Sequence, residues 1–186
     1  MTQQAEQTLL TDKVKALIGV TTDVMEMYDV VDKESIRRYA IGIPDQDPRY
    51  WDEKLAKPRF GGVTCPPLMI TYIAGRKPPW EPDHMDEVMN KNWFDDSGGG
   101  MWRWEEGLPS IRDYAPTKSH LHAGDEVEIY RYPKLGDRIF YQSKYVDIQE
   151  KRDRTGKPFL LVTRETRYWN QNNETICIVR TLGGER

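Results

Sequence analysis

The sequence predicts a single α+β domain, and three features of the 186-residue chain support this prediction. The last third consists of extended segments separated by short turns, which is typical of an antiparallel sheet. Residues 68–74 are apolar on nearly every side, which indicates a short helix buried within the core. No repeat or linker divides the chain, and its length suits one domain over residues 1–186. We therefore expect a curved antiparallel sheet wrapped around a central buried helix.

The first element is expected to be a short amphipathic helix that Gly19 can end. Its apolar face consists of Leu10, Val14, Leu17 and Ile18. Residues 20–31 are then rich in β-branched and large apolar side chains, which predicts a strand around residues 24–30.

A second helix is predicted after Asp32, which has the sequence context of an N-cap. Glu34 lies in the first turn, where a negative charge favours the helix dipole. Gly42 and Pro44 end this helix, and the chain then enters an irregular loop up to Tyr50.

The β-rich last third predicts strands at residues 122–132, 138–149, 159–169 and 175–182. Between the central helix and these strands, residues 76–118 are expected to form an irregular insertion. This insertion contains a proline pair and a glycine triplet, both of which disfavour regular structure: Pro78-Pro79 and Gly98-Gly99-Gly100. It also holds four of the six tryptophans: Trp80, Trp93, Trp102 and Trp104. Such a cluster either packs in a core or interface or covers a binding pocket.

Composition argues against several classes of function. A net charge of −3 gives no basic excess for nucleic acid or an anionic membrane. No apolar run is long enough to span a bilayer, and the first residues lack the regions of a signal peptide. The two cysteines form no disulfide framework, so a cytoplasmic location is expected. His84, His120 and His122 lack the spacing of a metal site, and no metal is expected.

Three segments, taken in order and spacing, resemble the N-terminal MaoC-like dehydratase family. The segments are residues 39–50, residues 61–67 with Gly61-Gly62 and Pro66-Pro67, and residues 132–137 with Tyr132-Pro133-Lys134-Leu135-Gly136-Asp137. The resemblance extends over roughly residues 12 to 182. It implies the hot-dog fold, in which a curved antiparallel sheet encloses a helix.

The resemblance also implies hydration of a 2-enoyl thioester, or the reverse dehydration. Active members of the family carry Asp-x-Asn-Pro-x-His in the loop after the first helix. Here Asp45 and Pro48 match the motif, Asp47 replaces the Asn and Tyr50 replaces the His. An imidazole with a pKa of about 6.5 can donate and accept protons at neutral pH. A phenol with a pKa of about 10 stays protonated, so Tyr50 is expected to act as a hydrogen-bond donor or weak acid.

By the same resemblance, backbone N–H groups before the central helix polarise the thioester carbonyl. In this chain those groups belong to Gly61, Gly62 and Val63, and glycine allows a close approach of the backbone. We expect Asp45 and Tyr50 to be catalytic, and Asp47, Gly61, Gly62 and Val63 to bind the substrate. The substrate is an acyl-CoA or acyl-carrier-protein thioester, and no separate cofactor is expected.

Several alternatives remain open at the level of sequence. MaoC-like units often work in pairs, so a homodimer or a heteromer with another MaoC-like chain is expected. Because Tyr50 replaces the His, the chain can be the pocket-forming partner of an active subunit that acts on a bulky or long acyl group. A non-catalytic partner is the first alternative. A thioesterase is the second, with Glu34 and Asp47 as nominal carboxylates. Asp45 can also simply cap a turn.

Overall fold

The structure is a computed structural model that describes residues 8–73, 80 and 107–186. Its α-helices are α1 (Asp12–Lys15), α2 (Lys33–Gly42), α3 (Glu53–Phe60) and α4 (Met69–Ile73). Its strands are β1 (Met25–Glu26), β2 (His120–Ile129), β3 (Ile139–Arg152), β4 (Pro158–Asn170) and β5 (Thr175–Glu185). Single 3₁₀ turns occupy Pro48–Tyr50 and Ile111–Asp113. The predicted α+β class is confirmed.

The five strands form one antiparallel sheet in the order β1-β3-β4-β5-β2. β3, β4 and β5 are joined by tight turns, and Asn173 adopts a positive φ of 58° in the second of these. The four predicted strands of the last third are present. β5 extends to Glu185 beyond the predicted end, because Gly183 and Gly184 are paired on both sides, with β2 and with β4.

One face of the sheet is apolar and the other is charged, as the two-residue period of a strand requires. On the charged face Glu165 accepts from Lys144 and from Arg180, each at 2.8 Å, across three neighbouring strands. The helices therefore pack on the opposite, apolar face.

Two apolar clusters fill the space between that face and the helices. The first holds Met27, Val31, Ile36, Tyr50, Val63, Cys65, Met69, Ile70, Ile139, Tyr168, Ile176 and Cys177. The second holds Val14, Leu17, Leu108, Ile111, Ala115, Tyr145, Ile148, Leu160 and Val162. The first cluster joins α2 and α4 to the sheet, and it includes Tyr50 and Val63 from the predicted site.

The central helix is buried as predicted at its start, where Met69 and Ile70 have no exposed surface. Leu68, which the sequence also placed in this buried helix, precedes α4 and is 41 % exposed. The cysteines Cys65 and Cys177 are both buried and free. Among the described helices, none combines the length and apolar character that crossing a bilayer requires.

Two expectations for the elements need correction, and one helix was not expected. The strand expected at residues 24–30 is reduced to β1, because Val24 and Val30 face solvent and find no partner on the sheet. Helix α3 was not predicted, and it contains Pro58, a residue that is unfavourable inside a helix. The insertion at residues 76–118 is not wholly separate from the core, because Leu108, Ile111 and Ala115 belong to the second cluster. Trp93, Trp102 and Trp104 lie outside the described residues.

The N-cap of α2 gives a prediction for stability. Asp32 Oδ1 accepts from the backbone N–H groups of Glu34 and Ser35 at 2.8 and 3.0 Å. Asp32→Ala should lower the free energy of unfolding by about 1 kcal/mol, measured by urea denaturation. Asp29→Ala, at an exposed position before the helix, should change it by less than about 0.5 kcal/mol. Equal losses in the two variants would contradict the assigned cap.

Candidate active site

A cavity of about 740 Å³ lies beside α2 and the loop that follows it. It is lined by Lys33, Ile36, Arg37, Ala40, Ile41, Pro44, Asp45, Gln46, Tyr50, Trp51, Glu53 and Val63. The wall is mainly apolar and carries a few polar groups, as is usual for small-molecule sites. Three of the residues predicted from the sequence, Asp45, Tyr50 and Val63, meet in this wall.

Asp45 is fixed by the end of α2. Its N–H donates to the carbonyl of Ala40, five residues earlier, at 3.0 Å, and this bond closes the turn that ends the helix. Its Oδ1 accepts from the N–H of Asp47 at 3.0 Å. Asp45 therefore caps a turn, as the simpler interpretation expects, and also lines the cavity.

Tyr50 lies at the end of the 3₁₀ turn and is 8 % exposed. Burial, together with the nearby Asp45 carboxylate that its hydroxyl contacts, raises the pKa of Tyr50 to about 12. The phenol is consequently protonated at neutral pH, and it can donate a hydrogen bond but cannot serve as a base.

Asp47 lies outside the cavity wall, contrary to the substrate-binding role expected for it. Its Oδ1 caps the 3₁₀ turn by accepting from the N–H of Arg49 at 2.9 Å, and its Oδ2 pairs with the Arg49 guanidinium. This contact with Arg49 also lowers the pKa of Asp47. Asp47 therefore holds the loop rather than a ligand.

Arg49 is a positioning residue that the sequence did not reveal. Its guanidinium carbon lies 5.6, 5.2 and 5.1 Å from the ring centres of Tyr50, Phe60 and Tyr132. Each of these contacts is within cation–π range. Because the three rings come from separate parts of the chain, only the tertiary fold brings this arrangement together.

The predicted backbone donors differ in what they can do. Gly61, with a φ of 76°, ends α3, and its N–H is already committed to the carbonyl of Lys57 at 3.0 Å. The N–H groups of Gly62 and Val63 form no hydrogen bond with any other described residue. Val63 also lines the cavity, so its N–H is the candidate to polarise a substrate carbonyl.

The remaining candidates lie elsewhere. Glu34 is engaged by Arg37 and Arg38, whose hydrogen bonds lower its pKa to about 2. His120 Nδ1 lies 2.6 Å from Glu185 Oε1, and His122 Nε2 lies 3.3 Å from Asp125 Oδ2, both at the edge of the sheet. His84 lies outside the described residues. Sequence reasoning missed Ile41, Gln46 and Trp51 as lining residues, since their position depends on the path of the loop.

Solved structures share this fold. The ChsH1-ChsH2 complex from Mycobacterium tuberculosis matches with a TM-score of 0.65 at 17 % identity, covering 93 % of this chain and 86 % of that chain. A MaoC-like dehydratase from Rhodospirillum rubrum matches with a TM-score of 0.57 at 16 % identity, covering 90 % and 91 %. The HadBC complex, a 3R-hydroxyacyl-ACP dehydratase from Mycobacterium tuberculosis, matches with a TM-score of 0.56 at 11 % identity, covering 90 % and 96 %.

These structural matches establish the hot-dog fold that the sequence predicted. No curated protein matches the sequence. The family model described as "FAS1-like, dehydratase domain region" matches residues 16–179, which include the whole cavity wall. The chain therefore belongs to the FAS1-like dehydratase domain family, and it shares its fold with the MaoC-like dehydratase from Rhodospirillum rubrum.

Proposed function

We propose that this chain is a subunit of a hydratase or dehydratase that interconverts 2-enoyl and 3-hydroxyacyl thioesters. One observation carries the proposal: the Asp45 carboxylate and the Tyr50 hydroxyl meet in one cavity that also holds Val63. A base, an acid and a free backbone donor are the groups that such a reaction needs.

In the hydration direction, Asp45 takes a proton from water while the water oxygen forms its bond to C3 of the enoyl group. The electron pair of the C2–C3 double bond moves into the thioester, and the N–H of Val63 stabilises the resulting enolate. Tyr50 then gives its proton to C2. The phenolate regains a proton from the protonated Asp45 beside it, so both groups return to their starting states.

The cavity favours a bulky or long acyl group. Ile36, Ala40 and Val63 supply apolar wall, and about 740 Å³ is within the range of sites for drug-sized ligands. Ile41 and Trp51 line the same cavity while remaining 64 % and 67 % exposed, so the apolar surface continues outward. The thiol carrier is coenzyme A or an acyl carrier protein.

The sheet offers an edge for a partner chain. β2 is hydrogen-bonded only to β5 among the described strands, and its Leu121 and Ile129 are 70 % and 50 % exposed. We infer that this edge pairs with a second copy or with another MaoC-like chain. Two of the similar structures are complexes, ChsH1-ChsH2 and HadBC, which supports such pairing.

The charges along β2 suit antiparallel self-pairing. His120 and His122 lie in its first half, whereas Glu126 and Glu128 lie in its second half. A second copy running in the opposite direction places each histidine-bearing half against an acidic half. Cross-strand pairs of this kind are favourable when the histidines are protonated.

A non-catalytic partner subunit is the competing function, and the protonated Tyr50 in place of a base favours it. The thioesterase alternative finds less support. Its nominal carboxylates, Glu34 and Asp47, are both engaged by arginines, and neither belongs to the cavity wall.

The first activity prediction concerns the base. With crotonyl-CoA and a longer enoyl-CoA as substrates, Asp45→Asn should lower kcat/KM for hydration by at least about 100-fold, followed as loss of enoyl absorbance. The amide retains an oxygen that can accept from Asp47, so the loop and the unfolding free energy should be preserved.

Asp29→Asn makes the same chemical change at an exposed site, and its rate should match that of the unaltered protein. Unchanged turnover in Asp45→Asn would refute the assignment of the base. Release of free thiol in place of enoyl loss would indicate hydrolysis. A folded chain that binds the enoyl-CoA without turning it over would establish the non-catalytic alternative.

The second activity prediction concerns the acid. Tyr50→Phe should lower kcat by about 100-fold with little change in KM, since the phenol acts on C2 in the transition state. Because the raised pKa keeps Tyr50 protonated until the pH approaches about 12, the unaltered rate should show no loss from phenol ionisation at or below pH 10.

Tyr50→His provides the complementary variant, because an imidazole near neutral pH can both donate and accept a proton. Its activity should exceed that of Tyr50→Phe. If Tyr50→Phe keeps the full rate, the tyrosine only packs in the wall and the proposed acid role is wrong.

The assembly prediction concerns the β2 edge. Replacing Leu121 and Ile129 together by lysine should convert the dimer into single chains in native mass spectrometry, because edge lysines oppose strand pairing. Val30→Lys, at another exposed apolar position, should leave the native mass unchanged. A dimer that survives the double change would show that another surface joins the chains.

A further inference from the structure

A second cavity, of about 480 Å³, lies on the other side of the Val63–Cys65 segment. It is lined by Phe60, Thr64, Arg131, Tyr132, Lys134, Asp137, Asn170, Gln171, Asn172, Glu174 and Ile176. None of these residues lines the Asp45 cavity, so the mechanism proposed above leaves this site unused.

The two carboxylates in this wall are already occupied by protein donors. Asp137 accepts from the N–H of Lys134 at 2.8 Å and from Gln171 Nε2 at 3.1 Å. Glu174 accepts from Asn170 Nδ2 at 2.9 Å and pairs with Arg131 at 2.8 Å. All four carboxylate oxygens therefore have partners, and the acids present little unsatisfied acceptor capacity to a ligand.

Donors in the same wall remain unused. The hydroxyl of Thr64 is buried and has no hydrogen-bond partner, which is rare for a buried polar atom. The Lys134 ammonium forms no ion pair with any described residue. Thr64 and Lys134 are partners in an isolated antiparallel bridge, and residues paired in this way point to the same side.

The surroundings leave room for the exposed lysine side chain. A Cβ on Gly61 would come within 3.1 Å of Lys134 Nζ, so the absence of a side chain at this position makes room for the ammonium. Phe60 and Tyr132, whose rings meet edge to face at 5.7 Å, supply an apolar wall next to it. Arg131 lies in the same wall, where its guanidinium pairs with Glu174.

We propose that this second cavity binds a phosphate group, with Lys134 and Thr64 as its principal ligands. Phosphate is anionic and rich in acceptor oxygens, which matches a wall whose acids are satisfied and whose donors are not. The phosphate can come from inorganic phosphate or from the phosphate-bearing end of coenzyme A. This inference goes beyond the proposed function and does not require the hydration chemistry.

Direct binding is the test, and it involves no turnover. Inorganic phosphate is titrated into the ¹⁵N-labelled full chain at constant ionic strength, and amide shifts are followed by NMR. Saturable shifts should appear at Thr64 and Lys134. Lys134→Ala should weaken binding by at least about tenfold and the nearly isosteric Thr64→Val by about threefold. Lys151→Ala, an exposed lysine on β3, should bind as the unaltered chain does.

Coenzyme A and dephospho-coenzyme A are then titrated in the same way to identify the source of the phosphate. Tighter binding of coenzyme A than of inorganic phosphate, lost in Lys134→Ala, would assign the site to the thiol carrier. Equal or tighter binding of inorganic phosphate would assign it to free phosphate. Absence of saturable shifts with all three probes, or equal shifts in Lys134→Ala, would overturn the proposal whether or not the chain hydrates enoyl thioesters.

Discussion

The segment Val63–Cys65 is hydrogen-bonded on both of its sides, and the walls of both cavities depend on it. The N–H of Thr64 donates to the carbonyl of Arg49 at 3.1 Å, which ties the segment to the Asp45 loop. The N–H of Cys65 donates to the carbonyl of Pro133 at 3.0 Å, on the opposite side. In an extended segment successive side chains alternate, so Val63 faces one cavity and Thr64 the other.

Arg49 connects the two cavities through side-chain contacts, in addition to the backbone hydrogen bonds of the Val63–Cys65 segment. Its guanidinium touches Tyr50, which lines the first cavity, and Phe60 and Tyr132, which line the second. The Nε of Arg49 is buried without a hydrogen-bond partner, so its position relies on Asp47 and on the three rings. A change at Arg49 consequently alters the shape of both cavities, although the residue lines neither.

The sequence predicts the sheet better than it predicts the site. Strands with β-branched residues and clear turns, and the Asp32 cap, depend on local chemistry, and the structure contains them. Helix α3 is hard to predict from the sequence because proline is unfavourable inside a helix, and Pro58 lies in this one. The helix forms nevertheless, since the Asp52 side chain caps its first turn and Pro58 comes near its end. The exposure of Leu68 and the reduction of the 24–30 strand to β1 depend on which neighbours arrive from distant parts of the chain.

The features of the predicted site also separate into those that depend on local sequence and those that depend on distant segments. Asp45 and Tyr50 meet because the loop between them is short and is capped by its own aspartates, which is local chemistry. The stacking of the Arg49 guanidinium on Phe60 and Tyr132, by contrast, brings in rings from two other segments, and no local pattern predicts it. The commitment of the Gly61 N–H likewise follows from α3, an element that the sequence concealed.

Tyr50 stands where active members of the family carry a histidine. The difference changes how protons can move in the site, and the number of side chains that can carry a proton stays the same. An imidazole can accept and donate near neutral pH, so one ring can serve both halves of a hydration. With a pKa of about 12, Tyr50 can only donate, so in the proposed hydration Asp45 is the base. Asp45, which adds to the effect of burial in raising the pKa of Tyr50, is in the proposed mechanism the source of the proton that returns to the phenolate. In the proposed mechanism the acid and base functions are thus separated between two neighbouring side chains, and hydration without the histidine depends on Asp45 reaching the water.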